Sequence, residues 1–196
     1  NSYIGDVSLI VDNVLTILPT NDHVGEHVIT IQAEDPSGLS TQMDIELEVI
    51  NVNDAPESTG PIEDQVAYED VPYTFNFYEY VNDVDVHLNL DTLTYSATGL
   101  PAGITMNSST GVISGTAEND VVGEYVVSAT ATDGSSAIGV YSFGLIVENV
   151  NDSPDAAGSI EYQVVTEDEP YNINISGNFS DDDGDTLTYS ASGLPG

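Results

Sequence analysis

The chain has 196 residues, with no cysteine, no lysine or arginine, and 34 Asp plus Glu, giving a formal charge of -34. Disulfides, thiol chemistry and lysine-based cross-links or Schiff bases are therefore excluded, and so negative a chain should repel nucleic acid and anionic lipid. Its 40% hydrophobic content and strand-like alternation argue for a folded protein over a disordered one, which leaves solubility in salt and cation binding as reasons for the charge.

No apolar run approaches the ~18 residues that span a bilayer, so no membrane partner is expected. No signal peptide is visible and residue 1 is Asn. The expectation is a piece of a larger protein whose targeting information lies elsewhere.

An internal repeat organises the rest. Asn51-Val52-Asn53-Asp54-Ala55-Pro56 returns as Asn149-Val150-Asn151-Asp152-Ser153-Pro154, an offset of 98. The same offset places Asn21-Asp22 on Asn119-Asp120, Asp35 on Asp133, Glu69-Asp70 on Glu167-Asp168, and Pro72-Tyr73 on Pro170-Tyr171. Thr92 to Ala97 matches Thr186 to Ala191 at an offset of 94, so the middle copy carries four extra residues within Val86 to Leu90. The expected division is 1–54, the second half of one copy; 55–152, a complete copy; and 153–196, the first half of another.

In chain order, 1–54 should supply a short strand with Leu15 and Ile17 inward. Two long strands follow, with His27, Ile29, Ile31 and Ala33, then Met43, Ile45, Leu47 and Val49, inward. The middle copy reads as seven strands at about 62–68, 72–78, 91–98, 103–106, 111–114, 123–131 and 138–148. Tyr73, Phe75 and Phe77 face in on the second, Leu93, Tyr95 and Ala97 on the third. Tyr125, Val127, Ala129 and Ala131 face in on the sixth, and Tyr141, Phe143, Leu145 and Val147 on the seventh. Period-two alternation with turns every ~8–12 residues predicts an all-β chain of tandem seven-strand Greek-key β-sandwiches. No 3.6-residue stripe appears, so no helix is expected. The segment 153–196 should repeat the first three strands, with Ile173, Ile175, Leu187 and Tyr189 inward.

In an antiparallel sandwich, successive connections alternate between the two ends. This sorts the carboxylates. Asp83, Asp85 and Asp133 fall at the end that holds the hinge 51–56. Glu69, Asp70, Glu118 and Asp120 fall at the end that holds the hinge 149–154. Each hinge is thus flanked by acidic residues distant in sequence. Calcium takes six to eight oxygens from carboxylates, amide and backbone carbonyls, and Asn, Asp and Glu supply that chemistry. Magnesium keeps more water. With three His and no Cys, zinc and copper are poor candidates. The run Asp181 to Asp185 looks like part of an EF-hand loop but lacks the closing Glu and flanking helices. His23-x-x-Glu26-His27 matches a zinc-peptidase string, but that mechanism needs a helix and this string enters a strand. The repeating carboxylate pairs argue against catalysis, and no enzyme is expected.

Val150-Asn151-Asp152-Ser153-Pro154, Glu167-Asp168-Glu169-Pro170, Asp181 to Asp185, Thr186-Leu187-Thr188-Tyr189, Ala131-Thr132-Asp133-Gly134 and Gly99-Leu100-Pro101-Ala102-Gly103-Ile104 together resemble the bacterial cadherin-like repeat, of the dystroglycan-type and Ig-like kinds. The resemblance covers about 57–196. It implies a secreted or cell-surface location in a calcium-dependent adhesin or a polysaccharide-degrading surface protein. It also implies interdomain calcium held by Asn53, Asp54, Asp83, Asp85, Asp133 and Glu69, and at the second hinge by Asn151, Asp152, Asp181 and Asp183. Asp70, Asp120 and Asp185 are further candidates from the acidic sorting. The second hinge should be the better formed, since the first lacks an upstream Glu69 counterpart.

Two partner expectations follow. The half copies at 1–54 and 153–196 could complete one another between chains, as dimer or filament, bringing Asp35 to Asp152, Asp181 and Asp183. Alternatively, a carbohydrate-binding module acting on cell-surface polysaccharide would need an exposed aromatic platform, for which Tyr78 and Tyr80 are the candidates.

Overall fold

The computed structural model describes residues 8–11, 14–88 and 90–193. Residues 1–7, 12 and 13 of the first half copy, Asn89 of the inserted stretch, and 194–196 lie outside them. The first half copy forms two hairpins: β1 (Ser8–Val11) on β2 (Val14–Ile17), and β3 (Gly25–Glu34) on β4 (Ser40–Val49), the latter in register from Gly25↔Val49 to Glu34↔Ser40. After the first hinge come β5 (Glu57–Ser58), β6 (Gln65–Tyr68), β7 (Tyr73–Asn76), β8 (Val81–Asn82), α1 (Val84–His87), β9 (Thr94–Thr98), β10 (Ile104–Met106), β11 (Val112–Gly115), β12 (Gly123–Thr132) and β13 (Ile138–Glu148).

The middle copy is a two-layer sandwich. One sheet has the order β6-β13-β12-β9 and the other β10-β11-β7. Alternation sends Val127, Ala129 and Ala131 of β12, and Tyr141, Phe143, Leu145 and Val147 of β13, into the core against Phe75, Phe77, Ile104 and Ile113. Phe77 is 0% exposed and meets Tyr141 edge-on at 5.1 Å and Tyr95 edge-on at 6.0 Å, an arrangement the aromatic quadrupole favours. Gly103 holds φ +86, and a Cβ there would overlap the carbonyl oxygen of Thr116, so the Leu-Pro-Ala-Gly turn admits only glycine at its last position.

Four expectations change. The first strand begins at Gln65, not 62, because the Asp64 side chain takes the Gly144 N–H at 2.9 Å, where a backbone carbonyl would otherwise pair. That strand runs parallel to β13, Leu145↔Gln65 to Glu148↔Tyr68, so the sandwich is not wholly antiparallel. The second strand stops at Asn76 and a 3-10 turn, Phe77–Tyr80, carries Phe77 into the core. A helix also exists, the single turn α1. Asp83 caps it, its Oδ1 accepting from Asp85 N at 2.9 Å and Val86 N at 3.3 Å, the usual service of Asp at a helix start.

The third copy departs most. Among its described residues only β14 (Asp155–Ala156) and β15 (Phe179–Ser180) pair, repeating β5 on β8. Residues 159–175 and 181–193 contain no strand. The reason is the ladder. In the middle copy β6 pairs with β13, β7 with β11, and β9 with β12. The third copy has counterparts of β6, β7 and β9, but within residues 1–196 the counterparts of their partners fall in the first half copy. An extended segment without a neighbour has no backbone group to bond. Tyr162 and Val164 are accordingly exposed.

Candidate metal centre

Glu69 follows β6 and is fixed by its backbone. Its N–H bonds to Glu148 O at 3.1 Å, and the next N–H, of Asp70, bonds to Ala117 O at 2.9 Å. Asp70 holds φ 56, as Asp168 holds φ 65 at the matching position of the third copy. This twist aims the Glu69 carboxylate inward at the second hinge, where it is 0% exposed and Oε1 accepts from Val150 N at 2.7 Å. Oε2 is buried and accepts nothing.

The two hinges share a repeated scaffold. Asp54 N donates to Asp85 Oδ2 at 2.8 Å, and Asp152 N to Asp183 Oδ2 at 2.6 Å. Asn21 Nδ2 donates to Asp54 Oδ2 at 2.7 Å, and Asn119 Nδ2 to Asp152 Oδ2 at 2.8 Å. Asn53 and Asn151 each turn their amide back to the carbonyl of the following Asp. Each hinge Asp thus takes an amide from the copy before it and gives its backbone N–H to a carboxylate of the copy after it.

At the second hinge, oxygens of Glu69, Asp152 and Asp183 lie within 4.8 Å of one another, and so do those of Asp181, Asp183 and Asp185. Asp70 and Asp120 line an acidic depression beside them with Glu118, Asn119 and Asp182. At the first hinge, Asp83, Asp85 and Asp133 are all buried, and Asn53 Nδ2 donates to Asp133 Oδ2 at 2.8 Å. Among the described residues no three-carboxylate group this close forms there. Asp35, the counterpart of Asp133, is not brought to Asp152, Asp181 or Asp183. Its carboxylate accepts from Ser37 N and Leu39 N of its own loop.

The loops differ too. Asp185 closes a cluster with Asp181 and Asp183. Its counterpart Asp91, set back by the insertion and α1, instead accepts from Gly134 N at 2.8 Å. Sequence reasoning passed over Asn21, Asn119 and Asp91. The signal for the first two was available, since Asn21-Asp22 and Asn119-Asp120 repeat at the hinge offset.

Electrostatics fit a cation. Charges are buried only when compensated, and no lysine or arginine exists to compensate Glu69, Asp83, Asp85 and Asp133. Besides Glu69 Oε2, the buried oxygens Asn51 Oδ1, Asp83 Oδ2, Asp85 Oδ1 and Asn119 Oδ1 also have no hydrogen-bond partner. All are hard oxygen donors, which suits Ca²⁺. Two carboxyls also shift. The Asn53 amide holds Asp133 below the usual carboxylate range, with the Ala137, Ser135 and Ser136 N–H groups assisting against the effect of burial. Burial pushes Asp152 above its usual value, and the charges of Asp183 and Asp70 add to this.

Tyr80 packs on Phe75 at 5.6 Å, while Tyr78 is exposed. His27 lies on β3, its Nε2 at 2.6 Å from His23 O. Among the described residues, no helix is long and apolar enough to cross a membrane.

Residues 55–148 match the family described as Putative Ig domain. No curated protein matches the sequence. Among solved structures, the chain resembles human mucin-like protocadherin EC1-2 with 17% identity and TM-score 0.54, over 74% of this chain and 79% of that one. It resembles mouse cadherin-23 EC22-24 with 19% identity and TM-score 0.52, over 74% and 50%, and protocadherin gamma B7 extracellular cadherin domains 1-4 with 21% identity and TM-score 0.52, over 80% and 40%. The chain thus spans half or less of the length of the latter two. The middle copy, held between its two hinges, thus matches an Ig-type family model and shares its β-sandwich fold with the cadherin domains it resembles.

Proposed function

We propose that the two hinges bind calcium, and that the chain is a calcium-stiffened extracellular segment of a surface protein, serving adhesion or stalk extension. One observation carries this reading: four buried carboxylates in a chain with no basic side chain but three histidines, with unpartnered buried oxygens at both hinges. A divalent ion supplies the missing charge and the missing contacts together. Glu69, Asp152, Asp181 and Asp183 hold it at the second hinge, with Asp70, Asn119, Asp120, Asn151 and Asp185 around it. Asn53, Asp54, Asp83, Asp85 and Asp133 hold it at the first. Without the ion the carboxylates repel and the hinge loosens; with it, adjacent repeats become one rod.

Isothermal titration calorimetry of calcium into chelator-treated protein tests this. Binding is expected for the unaltered chain, and Glu69→Gln should remove or weaken one class of site. Absence of binding heat over a range of temperatures, with no spectroscopic change, would defeat the reading.

A further inference from the structure

We infer that the 3-10 turn Asn21–His23 is an acid-sensitive latch on the first hinge, held shut by neutral His23 and His27, and that the second hinge has no such response. That the latch governs calcium affinity rests on the calcium reading; the latch itself does not.

Each hinge Asp is held by the first residue of a 3-10 turn. Asn21 opens the turn Asn21–His23 and donates to Asp54 at 2.7 Å. Asn119 opens the turn Asn119–Val121 and donates to Asp152 at 2.8 Å. In both copies a ring on the following strand reaches four residues back and bonds the carbonyl that ends the turn. Tyr125 Oη donates to Val121 O at 2.7 Å, and His27 Nε2 donates to His23 O at 2.6 Å. The contact repeats at the hinge offset, but its chemistry changes. A phenol stays neutral across the pH range in which an imidazole gains its proton.

Both imidazoles of the first turn sit there as neutral rings. A carbonyl only accepts, so His27 Nε2 carries the ring proton and Nδ1 is bare. Nδ1 is buried and has no partner among the described residues. A proton there would make it a charged donor, buried and unpaired, which costs more than the bare lone pair. His23 Nδ1 lies 3.0 Å from Thr20 N, which only donates, and 2.9 Å from Thr20 Oγ1. This nitrogen therefore accepts, and a proton on it would face the Thr20 N–H. The middle copy has Glu118 and Val121 in place of Thr20 and His23, so its turn needs no neutral imidazole.

The charges around the turn set the direction. Strand alternation puts Gly25, Ile29, Ile45, Leu47 and Val49 on the hairpin face that carries His27, and Glu26, Glu46 and Glu48 on the other face. The preceding strand β2 has no charged residue. The turn itself adds Asp22, which is exposed, and the hinge adds Asp54, held by Asn21. No carboxylate on the His27 face of the hairpin compensates a buried imidazolium, whereas Asp22 and the acidic surface attract one that has swung outward. The turn is therefore closed above the imidazole range. It opens as pH falls through that range, and Asn21 then releases Asp54.

Nuclear magnetic resonance of the chain in chelator reads the latch without calcium. From about pH 7.5 to about pH 5.5, where imidazole titrates, the Asn21 side-chain amide should move toward the signal of a free amide. Its midpoint should follow the ring signals of His23 and His27 and not that of His87, which bonds Asn82 away from the turn. The Asn119 amide should stay in place. His23→Val with His27→Tyr gives the first turn the middle copy's residues and should abolish the Asn21 movement. In calcium titrations over the same interval, the unaltered chain should lose about fivefold more affinity at the first hinge than H23V/H27Y, since both keep every hinge carboxylate. An Asn21 amide that stays fixed, moves together with Asn119, or moves equally in H23V/H27Y would overturn the latch. Equal losses of affinity in the two chains would overturn its control of calcium. An Asn21 movement that H23V/H27Y abolishes, in a chain that binds no calcium at any pH, would remove the calcium reading and leave the latch standing.

Discussion

Thr92-Leu93-Thr94-Tyr95-Ser96-Ala97 and Thr186-Leu187-Thr188-Tyr189-Ser190-Ala191 are one string at two places, with two outcomes. In the middle copy it carries β9, paired with β12 from Thr94↔Thr132 onward. In the third copy it forms no strand, and Tyr189 is 46% exposed. Identical local preference gives different structure because the neighbour differs, which is the sense in which β-propensity describes fitting a half-buried surface rather than a backbone habit. Even so, one part of the third copy folds as its counterpart does: β14 on β15, whose two partners both lie within it. The middle copy thus has its strands paired around one core, while the third copy pairs only the two short strands that find each other within it.

Core truncation should expose this contrast most. Phe77→Ala removes a fully buried ring and should cost about 3–5 kcal/mol, read by calorimetric unfolding. Ile175→Ala, the matching change in the third copy, should cost well under about 1 kcal/mol in dilute protein, since Ile175 covers no closed core. Equal costs would mean that the third copy is as well packed as the middle one.

Gly103→Ala should come next. The added Cβ meets the Thr116 carbonyl at a positive φ, a combination that costs more than the ~0.4–1 kcal/mol at stake where alanine fits. Chemical denaturation would show a lowered midpoint with unchanged slope.

Glu69→Gln separates a structural carboxylate from a cation-binding one by a change of sign. In chelator the variant should be more stable than the unaltered chain, by about 1–3 kcal/mol, because an uncompensated buried charge is gone. In calcium it should be less stable. A loss of similar size in both conditions would make Glu69 merely structural.

The pH response should be smaller and opposed in the two forms. Asp152 has its pKa raised by burial and by Asp183 and Asp70. In chelated protein its contribution is therefore greatest below the ordinary carboxylate range and is lost as pH rises through the raised value. Calcium needs the ionised form, so calcium affinity should fall as pH drops through that same value. Asp133, lowered chiefly by Asn53, contributes above the ordinary value and loses its effect only as pH falls through the lowered one. Calcium titrations at stepped pH, beside melts in chelator, would show the two slopes crossing.

The seven-strand pattern, the inward set of β12 and β13, and the end at which each carboxylate sits were legible in the sequence, because strand alternation and connection parity are local and countable. The missed features depend on competition among side chains. Asp64 displaces a backbone carbonyl at Gly144 and shortens β6. Asp83 diverts an oxygen to cap α1. Asp91, beyond the insertion, turns to Gly134 rather than to the hinge. None of these follows from periodicity.

The most direct test of the central claim is thermal unfolding of the chain in calcium and in chelator. At calcium one hundred times its dissociation constant, binding to the folded form adds about 2.7 kcal/mol, which for a domain near one hundred residues raises the melting temperature by about 10–20 °C. Calcium sites at the hinges predict a rise of that order, reduced in Glu69→Gln. Superimposable melts in calcium and chelator would contradict them.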